Sequence, residues 1–112
     1  MNEIERLREK GCHVDEAIAR CGGDDAFYLE LVQLALAKER YEGIKLLVET
    51  KNYKGAFEAA HALKGVVINL SLTPMEQIAI DMTEKLRPQQ PVDLSEDLTA
   101  LLQWRESLEA CM

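Results

Sequence analysis

From Tyr53 to Leu70 the apolar residues Tyr53, Ala56, Ala60, Leu63, Val67 and Leu70 return every three or four positions, a spacing that lines one side of an α-helix and neither side of a β-strand. A chain built around such a stripe must bury it against other helices with stripes of their own. Asn52 is the expected N-cap of this helix, its side-chain oxygen accepting from a backbone N–H that the first turn leaves free. Upstream, Gly22-Gly23 interrupts the chain and Asp24 or Asp25 can cap a long helix that runs to about Thr50. Its inward residues are Phe27, Leu31, Leu34, Ala35, Ile44, Leu47 and Val48, and Gly43 is the place for a bend. Downstream, Thr73-Pro74-Met75-Glu76 combines a hydroxyl N-cap, proline in the first helical position and glutamate at the third. That helix passes through Ile78, Ile80, Met82 and Leu86 and stops at Arg87-Pro88-Gln89-Gln90-Pro91, where two prolines withdraw donors. Asp93 and Glu96 repeat the capping-box spacing and open a last helix through Leu98, Leu101, Leu102, Trp104 and Leu108.

No strand alternation, internal repeat or low-complexity stretch interrupts this pattern. Four long amphipathic helices on short connections predict an all-α fold, an antiparallel up-down-up-down four-helix bundle spanning residues 24–110. One or two short helices in residues 1–22, around Ile4 and Leu7 and from Val14 to Cys21, cover one end. At 112 residues the chain is read as one domain, 1–112, long enough to bury a core without a disulfide or a structural metal. Cys12, Cys21 and Cys111 are odd in number and contain no C-x-x-C pair, so reduced thiols are expected. Cys12 and His13 are adjacent, which aims their side chains apart, and no metal site is expected there.

Thirteen Lys and Arg stand against twenty Asp and Glu, a formal net charge of -7. Such a balance repels a phosphate backbone and an anionic lipid surface alike, so neither nucleic acid nor membrane is an expected partner. No run approaches the ~20 apolar residues that span a bilayer. Met1-Asn2-Glu3-Ile4-Glu5-Arg6 has neither the basic opening nor the apolar stretch of a secretory signal. A cytoplasmic location is the expectation.

Chemistry concentrates in Ala60-His61-Ala62-Leu63-Lys64-Gly65. On a helical wheel His61 lies about 120° from the centre of the stripe, which turns its imidazole to solvent. Lys64 and Gly65, three and four residues on, are its neighbours on that surface. Imidazole is a good nucleophile near pH 7, because an ordinary pKa of about 6.5 leaves the free base abundant. A phosphoryl group taken up there carries spread negative charge that an ammonium can hold. It also needs room, and glycine leaves the next turn empty at a cost of ~1 kcal/mol in helix stability relative to alanine.

These six residues resemble the A-H-x-L-K-G signature of histidine-containing phosphotransfer (HPt) domains, matching every fixed position. The likeness extends over roughly residues 20 to 110. It implies a helical bundle with no kinase or ATPase activity of its own, in which His61 accepts a phosphoryl group, Lys64 stabilises it and Gly65 gives it clearance. The implied partners are response-regulator receiver domains and a hybrid sensor kinase. Mg²⁺ is expected on the receiver, so no cofactor or metal ligand is implied for this chain, and no P-loop or kinase glycine loop is present. Where family members usually carry small residues after the glycine, and another glycine ten positions beyond the histidine, this chain has Val66, Val67, Ile68 and Ser71.

Around the six, Glu58 is a candidate to orient the imidazole and Lys54 a candidate to attract an acidic receiver. Ile68, seven residues beyond His61, lies on the same surface, where it either narrows the docking site or adds apolar contact. His13 has no Lys or Gly at matching positions and is read as a surface residue. The leading reading is a phosphorelay carrier in two-component signalling. The alternative, kept open by Ile68, is a non-catalytic helical interaction module that binds a receiver or regulator without being phosphorylated. A hydrolase is disfavoured, for no nucleophile, base and orienter stand at usable spacing.

Overall fold

The computed structural model describes all 112 residues, Met1 to Met112. Seven helices follow one another with no strand: α1 (Glu3–Glu9), α2 (Val14–Arg20), α3 (Asp25–Ala35), α4 (Lys38–Glu49), α5 (Tyr53–Asn69), α6 (Thr73–Leu86) and α7 (Ser95–Glu109). The helical bundle expected from the periodicity is present, with α5 packed along α6 over its greatest length, α4 beside α5, and α7 beside α6. Helices α1 and α2 pack against α3. They contribute Ile4, Leu7, Val14 and Ala17 to the same buried cluster as the bundle helices, so the short N-terminal helices continue the core. None of the seven is long and apolar enough to cross a membrane.

The long helix expected from Asp24 to Thr50 is in fact two, parted at Leu36 and Ala37. Gly43, the expected bend, lies inside α4. Ala37 has φ -55° and ψ 124°, an extended conformation that stops the hydrogen-bond ladder. The cause lies in the phase of the buried residues. In α3 the inward line is Tyr28, Val32 and Ala35, which a continuous helix would carry on to Glu39 and Glu42. Breaking the helix re-phases the chain so that Tyr41 and Ile44 turn inward instead, and two glutamates are spared burial. The Tyr41 hydroxyl secures the corner by donating to the carbonyl of Ala35 at 2.9 Å. Phe27 and Leu34, expected inside, remain 46% and 67% exposed.

Two of the four expected caps form. Asp24 accepts from the N–H of Phe27 and Asn52 from that of Gly55, each at 3.0 Å. The other two do not. Thr73 is the first residue of α6 rather than its cap, and its hydroxyl donates to the Ser71 carbonyl and accepts from the N–H of His13. Pro74 is therefore the second residue of α6 rather than the first, still within the turn that needs no donor from it. Asp93 turns to the N–H and hydroxyl of Ser95, closing a local turn before α7 without capping it.

Helix α5 ends in a left-handed residue, Ser71 at φ 51°, which lets the N–H of Leu72 return to the carbonyl of Val67 at 2.9 Å. Glycine is the residue that takes this conformation without strain. Here serine is held by Arg20, which donates to its hydroxyl and to the carbonyl of Asn69, both at 2.7 Å. Tyr28 donates to the carbonyl of Leu70 at 2.9 Å, so the end of α5 is tied to α2 and α3. No buried side-chain polar atom lacks a partner.

Candidate functional site

The face of α5 opposite its core line carries the residues singled out in the sequence. Ala56, Ala60, Leu63, Val67 and Leu70 are buried, while Tyr53 is half-buried. His61 is thereby turned outward and is exposed; Lys64 is half-buried one turn on, and Gly65 is exposed. A Cβ built on Gly65 would meet nothing within 4 Å, so the notch beside the imidazole is open and no packing within the chain asks for a glycine there. Lys54 and Glu58 are exposed on the preceding turns, and neither makes an ion pair or a side-chain hydrogen bond. Glu58 is therefore not bonded to His61. Ile68 is 42% exposed, whereas Ser71 is buried at the helix end and does not share that surface.

Three residues outside the sequence reading complete the surroundings. Phe57, one turn before His61, is half-buried, and its ring is stacked on the imidazole with centroids 6.0 Å apart and planes 24° from parallel. Over Phe57 lies the guanidinium of Arg87, 5.3 Å from the ring centroid. Arg87 is the C-cap of α6 and donates to both carboxylate oxygens of Glu84, at 2.8 and 3.2 Å. Those hydrogen bonds hold the Glu84 carboxyl below its usual range, and the charge of Lys64 acts in the same direction. The available signal for Phe57 was its position four residues before His61. Arg87 and Glu84 gave none, since only the packing of α6 on α5 brings them near.

No three of the His, Cys, Asp and Glu side chains come together as a group that could hold a metal ion. The three cysteines are free thiols. Burial pushes the Cys12 thiol up to about 12, with the neighbouring Cys111 adding to the effect, so Cys12 is a core residue of low nucleophilicity.

The site is an exposed imidazole on a helix surface, with a lysine and an open notch one turn along the same helix. A family model for the Hpt domain matches residues 28–111, three quarters of the chain. The chain belongs to the Hpt domain family. Hpt domains take part in phosphotransfer in two-component signalling and interact with receiver domains. The match covers α4 to α7 and α3 from Tyr28 onward, leaving α1 and α2 outside. No curated protein and no solved structure matches this Hpt domain.

Proposed function

We propose that this Hpt domain is a phosphorelay carrier: His61 accepts a phosphoryl group from a receiver aspartyl phosphate and passes it to the aspartate of another receiver. The receivers belong to response regulators and to a hybrid sensor kinase. A ring nitrogen uses its lone pair to form the N–P bond while the acyl P–O bond breaks, and the aspartate leaves as a carboxylate with the electron pair. The attacking nitrogen carries no proton that must first be removed. Energy for the step resides in the acyl phosphate, so the chain's contribution is placement and charge. Lys64 holds the anionic group in transit. Lys54 draws the acidic pocket of the receiver toward the same face. Ile68 adds apolar contact at its edge. Mg²⁺ belongs to the receiver.

The observation that carries this reading is an exposed His61 beside a notch that no contact within the chain fills. An exposed site suits a group that must be reached by two successive partners, since an enclosed pocket would exclude both. The test is label transfer from a receiver domain charged with labelled acetyl phosphate. His61→Gln is expected to lose all acid-labile label, and His13→Gln to keep it. Label retained by the first variant rejects the assignment.

A further inference from the structure

An exposed histidine in a helix has two common χ1 wells and a broad χ2, so an unrestrained ring spends only part of its time in any one orientation. Side chains on a helix lean toward its N-terminus, which carries the ring of residue 61 back over residue 57. There it meets Phe57, nearly parallel and 6.0 Å away between centroids. Phe57 packs against the core on its inner side and lies under the Arg87 guanidinium on another. The guanidinium is itself gripped at two points by Glu84, on the last turn of α6 just before Pro88. Glu84, Arg87, Phe57 and His61 form one column across two helices, and the imidazole is its reactive end.

We propose that Phe57 is a positioning residue for phosphoryl transfer: it holds the His61 imidazole in one orientation, and Arg87, clamped by Glu84, fixes Phe57. The inference rests on His61 being the acceptor, as proposed above. In-line transfer needs the nitrogen lone pair aligned with the breaking P–O bond at about 3–3.5 Å. A ring held roughly parallel to an anchored aromatic on its helix presents its rim, where the nitrogens are, to an incoming group. Two χ1 wells and two ring orientations reduced to one raise the fraction of productive encounters by about fourfold at most. The bonds made and broken are unchanged: N–P forms, acyl P–O breaks, and the carboxylate keeps the electron pair.

The test compares Phe57→Leu, Phe57→Tyr, Arg87→Gln and the double variant Phe57→Leu/Arg87→Gln. Arg87 is on the surface, so its replacement probes the column without opening the core. In the free protein, scalar couplings across the His61 Cα–Cβ bond and imidazole relaxation report the ring. One rotamer is expected in the parent and in Phe57→Tyr, with averaging in Phe57→Leu and, to a lesser degree, in Arg87→Gln. In transfer from a receiver charged with acetyl phosphate, Phe57→Leu is expected to lower kcat by up to about fourfold at unchanged KM, and Phe57→Tyr to restore it. The double variant should be no slower than Phe57→Leu alone. Couplings in Phe57→Leu identical to the parent overturn the proposal, as does a rise in KM at constant kcat, which makes Phe57 a docking contact. Further slowing in the double variant overturns the role given to Arg87 and assigns it to the phosphoryl group directly. Label surviving in His61→Gln removes the carrier reading while the coupling measurement still decides whether Phe57 orders the ring.

Discussion

Two glycines sit inside helices of this chain where a methyl group would touch nothing: Gly43 in α4 and Gly65 in α5. Each costs its helix roughly 1 kcal/mol relative to alanine, and neither is repaid by close packing. Gly65→Ala and Gly43→Ala should therefore both raise the unfolding free energy by about 1 kcal/mol, measured by urea denaturation. Their functional effects should part. Gly65→Ala fills the notch beside His61 and is expected to slow phosphoryl uptake by about tenfold or more, while Gly43→Ala leaves it unchanged. Equal uptake in both would mean that the space beside the imidazole is idle. At this scale the sequence reading is strong where contacts are local: His61, Lys64 and Gly65 stand on one surface because three and four residues make one helical turn. It missed the column above the imidazole, because Arg87 reaches Phe57 only through the packing of α6 on α5.

Among the elements, α5 is legible because its buried residues keep one unbroken phase, whereas in α6 Ile78 and Ile80 are only half-buried beside a line of Met75, Ala79, Met82 and Leu86, and in α7 Arg105 is buried while Leu98, Leu102 and Trp104 are only half-buried. The region from Asp24 to Thr50 is not legible, since apolar residues on both sides of Ala37 can be joined into one stripe that ignores the change of phase. The exposed Phe27 and Leu34 are the visible mark of that error. The expected caps at Thr73 and Asp93 failed for a related reason: each side chain found a competing partner, His13 for Thr73 and Ser95 for Asp93. Helix ends also hold recoverable stability. Lys51, at φ 61°, is left-handed and exposed, and its side chain makes no hydrogen bond or ion pair. Lys51→Gly should stabilise by about 1 kcal/mol, read from the urea midpoint at constant slope. Ser71→Gly relieves the same strain but removes the Arg20 hydrogen bond, so its net effect should be close to zero.

Across the whole molecule the core runs from Ile4 in α1 to Cys111 beyond α7 as one buried cluster. Its buried titratable groups set the alkaline limit of stability. Burial pushes the Cys12 thiol from 9.0 to about 12 and the Tyr41 phenol from 10.0 to about 12, and it raises Tyr28 as well. Above the unfolded values the unfolded chain has released protons that the folded chain keeps, so stability falls as pH rises. Unfolding free energy should hold steady toward pH 8 and decline between about 9 and 12, with a shallower decline in Cys12→Ala measured against its own neutral-pH value. The same compact body leaves the His61 face of α5 exposed. The most direct measurement incubates the Hpt domain with a receiver charged with acetyl phosphate and locates the transferred group by tandem mass spectrometry under non-acidic conditions. One phosphoryl group, on the imidazole of His61, is the expected result. A phosphoryl group on any other residue, or a stable complex with the receiver and no phosphoryl group on the chain, rules out His61 as the carrier.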